Sequence, residues 1–393
     1  MNAQPLFNLT PLASLLLVGA LLALGPMAWV YWRNRHGAPL QRAQALRLLT
    51  LFLTFDLILF GAFTRLTDSG LGCPDWPGCY GHTSPLGAHH AIVAEQAAMP
   101  TGPVTQAKAW IEMLHRYLAT TVGALIVVMT VTSWLNSRAS AQAGSTPRER
   151  ELSSWWATFT LFWVCLQGAF GALTVTMKLF PAIVTLHLAG ALVLLALLGV
   201  QVVRGGAAPL RLAMPAGLRR WTLLGFALLV LQILLGGWVS TNYAVLACTD
   251  FPQCQNRWWP EMNFSQGFEL WRHLGVTGNG EPIDFAALTA IHYVHRLAAY
   301  LVLSLLALLA WQLNRIEAWR PHSRVLAALV GLQLATGLSN VLLDWPLLSA
   351  LLHTGGAAAL VLVLTWITAS AASEPTILMP FSQRVFSEAE SLP

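Results

Sequence analysis

Four histidines occupy matched positions in two similar halves of the chain, and their side chains could bind a metal. His115 lies in Ile-Glu-Met-Leu-His-Arg, and His295 lies in Ile-His-Tyr-Val-His-Arg. His187 and His353 follow later in each half, in Thr-Leu-His-Leu-Ala-Gly and Leu-Leu-His-Thr-Gly-Gly. All four fall in apolar segments, where an imidazole needs a polar partner. Two imidazoles per half suit axial ligation of a haem iron in each half.

Other interpretations of the histidines remain open. Each imidazole could be a packing residue bonded to a neighbouring helix, or the set could hold zinc or copper. A zinc or copper site needs ligands that converge on one point, whereas these histidines belong to two units. Each histidine falls roughly six residues into its segment, about 9 Å deep at the rise of an α-helix. Facing imidazoles at one depth favour haem.

The segments that carry these histidines are predicted to cross a membrane. The chain has 393 residues, of which 56% are hydrophobic and only 10% are charged, whereas soluble domains carry about 25% charged residues. Its mean hydropathy is +0.59. The arginines behind the net charge of +5 are dispersed among loops, which argues against nucleic-acid binding. The composition indicates an all-α, polytopic membrane protein.

Several apolar segments reach the roughly 20 residues that a membrane span requires. We interpret the first as a true span and not as a signal peptide, because no basic stretch precedes it. The predicted spans are 11–31, 46–66, 109–134, 155–177, 181–203, 221–241, 286–312, 323–342 and 347–370.

Arginine placement predicts the orientation of these spans. Arginines cluster in alternate short loops, which are therefore expected to be cytoplasmic. The N-terminus and the long loops 67–108 and 242–285 are then periplasmic, and the C-terminus is cytoplasmic. We expect a bacterial inner membrane, because no Arg- and Ser-rich transit peptide precedes the first span. The loop arginines are Arg33, Arg35, Arg42, Arg47, Arg138, Arg148, Arg150, Arg204, Arg211, Arg219, Arg220, Arg315, Arg320 and Arg324.

The two halves form an internal repeat. The motif Cys-Pro-Asp-Trp-Pro-Gly-Cys at 73–79 matches Cys-Thr-Asp-Phe-Pro-Gln-Cys at 248–254, an offset of 175 (248 − 73). The offset becomes 180 at the first histidines (295 − 115) and 166 at the second (353 − 187). It changes only across loops, which tolerate insertions. We predict two parallel four-helix-bundle repeats, related by an axis along the membrane normal, plus one extra N-terminal transmembrane helix.

The predicted units follow from this repeat. They are an N-terminal helix with a basic loop (1–45), a first four-helix unit (46–205), a linker (206–220), a second four-helix unit (221–372) and a disordered tail (373–393).

The halves differ at two positions that could carry chemistry. Glu112 lies three residues before the first histidine, on the same helix face, and its counterpart is His292. Arg65 is matched by Ser240. A carboxylate at membrane depth is costly and usually functional. Glu112 is either a catalytic or substrate-contacting group or the partner of Arg116 in an ion pair, and one half is predicted to be reactive.

Arg116 and Arg296 each follow a candidate haem ligand. A guanidinium near the membrane surface suits a haem propionate, or it could extend to lipid headgroups.

The paired cysteines of the long loops also admit two interpretations. Cys73 with Cys79, and Cys248 with Cys254, could form local disulfides in an oxidising compartment. Zinc is the alternative, but zinc sites usually use shorter spacing and two further ligands.

Taken together, these residues resemble the haem A synthase family. The resemblance rests on Thr-Arg-Leu-Thr-Asp-Ser-Gly-Leu-Gly-Cys-Pro-Asp-Trp-Pro-Gly-Cys-Tyr-Gly at 64–81, on Glu112 with the four histidines, and on the arginine after each first histidine. It covers about 46–372. The first motif combined with four histidines is specific, whereas Glu-x-x-His-Arg alone would not be.

The resemblance implies an oxidoreductase that converts a methyl group of haem O to the formyl group of haem A. In the C-terminal unit it implies a haem b cofactor, with His295 and His353 as iron ligands and Arg296 nearby. In the N-terminal unit it implies the substrate haem, whose binding residues are His115, His187, Arg116 and Arg65. Glu112 would be catalytic, by steering a proton or stabilising a cationic intermediate. The cysteine pairs resemble the family's disulfides.

Two further classes of function compete with this one. The first is a di-haem membrane cytochrome that transfers electrons, which gives no reason for Glu112 in one half only. The second is a transporter, suggested by the repeat, which would be expected to contain broken helices at mid-membrane. As partners of an oxidase we expect the haem O substrate, a haem O synthase and an electron acceptor, and homo-oligomerisation remains open.

Overall fold

The computed structural model describes residues 10–142, 153–206 and 211–373 of the chain. Within these ranges, nine helices are long and apolar enough to cross a membrane, and the remaining structure is short helices, two short strands and loops. This confirms an all-α, multi-pass membrane protein. Arg148, Arg150 and nearly all of the predicted disordered tail lie outside the described residues.

The elements follow the predicted order. The long helices are α1 (Thr10–Arg33), α2 (Pro39–Leu66), α4 (Gln106–Gln142), α5 (Ser154–Thr176), α6 (Pro181–Arg204), α7 (Ala216–Thr241), α9 (Phe285–Asn314), α10 (Arg320–Leu342) and α11 (Leu347–Ser370). Two short helices, α3 (His89–Ala98) and α8 (Phe264–Gly267), lie in the long loops. Strands β1 (Leu212–Met214) and β2 (Ala371–Ser373) pair in parallel.

Several helices extend past their apolar segments. Helix α2 begins at Pro39 and α10 has a proline in its first turn, because proline lacks the N–H that a first turn leaves unbonded. Helix α4 continues to Gln142. These extensions are polar, so hydropathy alone did not predict them.

Tight turns join the last two helices of each half. Lys178 and Leu179 adopt left-handed backbone between α5 and α6, and Asp344 and Trp345 do so between α10 and α11. Non-glycine residues rarely occupy this region. Both turns therefore place two consecutive residues in left-handed backbone, and the two turns lie 166 positions apart (344 − 178 and 345 − 179).

The helix pairings of the first half recur in the second. In the first half α2 packs on α4, α4 on α5, α5 on α6, and α2 on α6. In the second half α7, α9, α10 and α11 make the corresponding four pairings. Between the halves α6 packs on α11, α2 on α11, and α6 on α7. Helix α1 stands apart from this pattern and packs mainly on α4.

Residues at matched positions meet where the halves touch. A Cβ added at Gly199 in α6 would lie 3.2 Å from Cγ2 of Thr365 in α11, and these positions are 166 apart (365 − 199). Arg65 donates to the carbonyl of Ser240, 175 positions on (240 − 65). In a twofold arrangement, residues near the axis contact their own counterparts.

The main hydrophobic core spans both halves at this contact. Leu195, Leu229, Leu306 and Leu364 are among its buried members. Separate clusters enclose the two cysteine pairs at the end of the bundle that carries the long loops.

The Gly199 contact yields a stability prediction. Gly199→Leu would force a side chain against Thr365 and Leu362, whose nearest atoms lie 3.2 and 3.5 Å from an added Cβ. Overpacking of this kind costs about 1–3 kcal/mol, so we expect a lower thermal midpoint in detergent micelles. The control is Gly331→Leu on α10, where an added Cβ meets nothing within 4 Å. Equal midpoints for the two variants would contradict close packing of α6 on α11.

Candidate functional site

A single large cavity holds all the predicted site residues. Its volume is about 1520 Å³, whereas pockets for one drug-sized ligand occupy roughly 300–1,000 Å³. It is lined mostly by apolar side chains from both halves, among which stand the four histidines, Glu112, Arg65, Arg116 and Arg296. The cavity therefore has room for more than one large apolar ligand.

Each histidine ring lies against a glycine of the neighbouring helix. A Cβ added at Gly61 would lie 3.0 Å from Cε1 of His115, and one added at Gly236 would lie 2.9 Å from Cε1 of His295. The same distance is 3.4 Å from Gly171 to His187 and from Gly337 to His353. A larger side chain at these positions would displace the ring.

The rings form two pairs. His115 is close enough to His187 to interact electrostatically, and His295 interacts in the same way with His353. The structure thus brings together the histidines that the sequence predicted to act together, one pair in each half.

The two pairs differ in what their Nδ1 atoms contact. In the second half, Nδ1 of His295 lies 3.0 Å from the side-chain amide of Gln232. Nδ1 of His353 lies 2.9 Å from Oγ1 of Thr336, and that hydroxyl already donates to a backbone carbonyl 2.7 Å away. The oxygen of Thr336 can therefore accept a hydrogen bond from Nδ1–H, and Nε2 of His353 then keeps its lone pair.

In the first half the corresponding atoms have no such contacts. Nδ1 of His115 and Nδ1 of His187 are buried without a hydrogen-bond partner. By the repeat offsets, the counterpart of Gln232 is Leu57 (232 − 175) and that of Thr336 is Phe170 (336 − 166). The sequence analysis missed this difference, although aligning the halves would have exposed it.

Glu112 is buried and fully engaged. One carboxylate oxygen lies 2.5 Å from the guanidinium of Arg116, and the other accepts from the backbone N–H of Cys73 at 2.8 Å. The ion pair that the sequence allowed is thus present, while the carboxylate also lines the cavity. The counterpart His292 instead contacts the carbonyl of Ala244 at 3.1 Å. A catalytic role for Glu112 stays a prediction.

Arg116 and Arg296 hold the cysteine loops. Arg116 donates to the carbonyls of Asp75, Pro77 and Gly78. Arg296 donates to the carbonyls of Asp250, Gln253 and Cys248 at distances of 2.7–3.3 Å. This role was not predicted from the sequence, because its acceptors are backbone carbonyls, which every residue carries. Contact with a haem propionate stays a prediction for both arginines.

The cysteine loops share one construction. Cys73 is disulfide-bonded to Cys79 and Cys248 to Cys254, with Cα atoms 4.9 Å apart in each pair. Among the described residues, no group of three or more His, Cys, Asp or Glu side chains is placed to hold a metal ion. The zinc interpretations therefore lack a ligand set in this part of the chain.

An aspartate inside each ring fixes the loop backbone. Asp75 accepts from the N–H groups of Tyr80 and Gly81 at 2.6 and 2.8 Å. Asp250 accepts from Gln255 and Asn256 at 2.7 and 2.9 Å. Burial raises the pKa of Asp250, but these hydrogen bonds outweigh burial and hold the pKa below its usual value.

Arg65 lies between the two halves. Its guanidinium is 3.2 Å from Asp68 and stacks on the ring of Tyr243, 4.0 Å from the ring centre. Tyr243 in turn donates to Asp68 at 2.6 Å. Burial, aided by the carboxylate of Asp68, raises the pKa of Tyr243. Arg65 also lines the cavity, and its predicted contact with a haem stays a prediction.

The chain matches known proteins over most of its length. Residues 44–365 match the COX15-CtaA family, described as a cytochrome oxidase assembly protein. The protein named heme A synthase from Shewanella oneidensis is 37% identical over 323 residues, which cover 81% of this chain and 93% of the relative. Heme A synthase from Halalkalibacterium halodurans is 27% identical over 308 residues, covering 76% and 86%. A Bradyrhizobium heme A synthase is 28% identical over 324 residues, covering 77% and 83%.

The matched region begins within α2 and ends within α11, so it includes all four histidines, both cysteine loops and Glu112. The chain therefore belongs to the COX15-CtaA family, the family of the heme A synthases.

Proposed function

We propose that this chain is a haem A synthase, which oxidises a methyl group of haem O to the formyl group of haem A. The observation that carries the proposal is one apolar cavity with two histidine pairs whose surroundings differ. Two identical haem sites would suit electron transfer alone. One partnered pair and one unpartnered pair suit a resident haem beside a haem that enters and leaves.

The second half fits a resident haem b. Glycines 236 and 337 leave room for rings at His295 and His353, and a group beside Nδ1 fixes the tautomer and orientation of a ligating imidazole. Thr336 is placed to accept a hydrogen bond from Nδ1–H of His353. The amide nitrogen of Gln232 donates to the backbone carbonyl of His295 at 3.1 Å and lies 3.0 Å from Nδ1, so it holds the ring from one side. Haem b would supply a redox-active iron, and Arg296, which lines the same cavity, would be available to a haem propionate.

The first half would bind haem O. His115 and His187 have space from Gly61 and Gly171 but no partner on Nδ1. Weaker support of these ligands suits a substrate that must dissociate as product. Arg116 lies beside this pair at the cavity surface, and Arg65 lies near the same end.

Glu112 would be the catalytic carboxylate. Formation of a formyl group adds an oxygen atom and withdraws electrons, so positive charge develops near the porphyrin edge and a fixed carboxylate would stabilise it. Its two hydrogen bonds hold the carboxylate in one orientation. The second half shows that an arginine can hold a cysteine loop without an acid beside it.

The finer architecture and setting belong to the same proposal. The chain comprises two parallel four-helix repeats, 46–205 and 221–372, preceded by an extra helix in 1–45. The recurrent helix pairings and the contacts between counterparts support this division. We place the protein in a bacterial inner membrane with the disulfide loops in the periplasm. A haem O synthase would deliver substrate, and an external acceptor would remove electrons.

The function and the role of Glu112 can be tested together. Purified protein supplied with haem O, oxygen and an electron acceptor should form haem A, detected by mass. Glu112→Gln keeps an acceptor for the Cys73 N–H but removes the charge, so turnover should fall about 10²–10⁴-fold. His292→Gln is the matched variant in the other half and should retain turnover. If wild-type protein carries two haems and never forms haem A, the chain is an electron-transfer cytochrome.

The assignment of the two haems predicts that substitutions in one histidine pair reduce haem b content, whereas substitutions in the other abolish turnover. His295→Ala or His353→Ala should remove most of the haem b that copurifies with the protein. His115→Ala or His187→Ala should leave haem b content unchanged while abolishing turnover. Haem extraction with mass analysis and an optical spectrum measures both. The reverse pattern would exchange the two sites.

The amide beside His295 predicts an effect on the haem b iron. Gln232→Leu introduces the residue found in the first half and removes the group beside Nδ1. Loss of this contact leaves the imidazole ring free to turn, so iron affinity should fall about 10–100-fold. The haem b retained after washing measures the effect. Gln232→Asn keeps an amide and should retain more haem b than Gln232→Leu; unchanged haem b content for Gln232→Leu would exclude the role.

A further inference from the structure

Helix α1 forms a wall of the cavity although it lies outside the matched family region, which begins at residue 44. Its cavity-lining residues recur every three or four positions, so they share one helix face. They extend over roughly 22 Å of helix at about 1.5 Å per residue. The residues are Leu12, Leu15, Leu16, Ala20, Leu24 and Met27.

Close contact with α4 fixes the position of α1. A Cβ added at Gly19 would overlap Thr120, with its backbone carbonyl carbon only 2.8 Å away. Small residues permit such close approach between membrane helices. Near the loop end, Leu15 belongs to the buried cluster that contains Met113 and Cys73, the neighbours of Glu112. The wall therefore begins beside the proposed substrate site.

Open space lies along this wall. Gly123 in α4 and Gly168 in α5 both line the cavity, and a Cβ added at either would meet nothing within 4 Å. Leu16 of α1 and Val127 of α4 also line the cavity and remain 53% and 46% exposed. The space thus continues from the cavity to the lipid-facing surface, and its lining is apolar.

The second half carries leucines at the equivalent positions. The counterpart of Gly123 is Leu303 (123 + 180), and that of Gly168 is Leu334 (168 + 166). Nothing in the second half corresponds to α1 among the described helices. An apolar space lined by these two glycines and by α1 is therefore a feature of the first half.

We propose that α1, α4 and α5 form a channel that binds the farnesyl chain of haem O. This inference rests on the proposed function and names the part of the substrate that selects between the two sites. Haem b lacks the farnesyl chain and gains nothing from the channel. In the second half, Leu303 and Leu334 exclude the chain, so that half takes haem b.

The test replaces the two glycines of the channel with the leucines found at the matched positions of the second half. Gly123→Leu, Gly168→Leu and the double variant should weaken haem O binding about ten-fold or more, while haem b content in the second half stays at the wild-type level. Optical titration with haem O measures affinity, and titration with haem b in its place should give the same result for variant and wild type. Gly25→Leu is the control on α1, because Gly25 is exposed outside the cavity and an added Cβ meets nothing within 4 Å.

A second measurement uses the wild-type chain and does not depend on folding of the variants. Cys165 lines the cavity on α5, three residues before Gly168, and is an exposed free thiol. Haem O should slow its alkylation by N-ethylmaleimide several-fold, and haem b should not. Equal protection by the two haems, or none, would overturn the proposal, because the farnesyl chain would then not reach this thiol. Wild-type haem O affinity in the double variant would also overturn the proposal, and haem A formation by that variant would leave the proposed function intact.

Discussion

The structure depends on placing four imidazoles inside an apolar bundle. Each ring lies against a glycine on the next helix, so the two helices must approach closely at that level. This requirement fixes the glycines at 61, 171, 236 and 337, and through them the relative register of the helices. Close approach is also favourable between membrane helices, because van der Waals packing holds them together where the hydrophobic effect does not act.

The same scaffold supports two different environments. Both halves carry an arginine that donates to a disulfide loop and an aspartate that accepts from the backbone of that loop. The differences that bear on the site lie beside the imidazoles and along the cavity wall. Polar groups at Gln232 and Thr336 stiffen one histidine pair, whereas Leu57 and Phe170 leave the other unsupported. Under the proposed function, these few changes would separate a tightly held haem from an exchangeable one.

Much of this was accessible from sequence because it is periodic. Hydropathy predicted the nine spans, and the repeat predicted which histidines pair. The grip of Arg116 and Arg296 on loop carbonyls was not predictable, because its acceptors are backbone atoms placed by a fold of the loop. The position of α1 was not predictable either, because α1 lies outside the repeat and its close approach to α4, at Gly19 and Thr120, is seen only in the structure. The ends of α2 and α4 that extend past the membrane spans are polar, so hydropathy did not predict that they are helical.

The presence of Glu112 is best understood by comparison with the half that lacks it. A buried ion pair gains little net stability, because desolvation of two charges offsets their attraction. Arg296 is as buried as Arg116, with 6% of each exposed, and it is held by carbonyls alone. An arginine in this position therefore does not require an acid for the loop to be anchored. Since the fold can dispense with the carboxylate at this position, its presence in the first half supports the role proposed for Glu112 in the chemistry of the adjoining cavity.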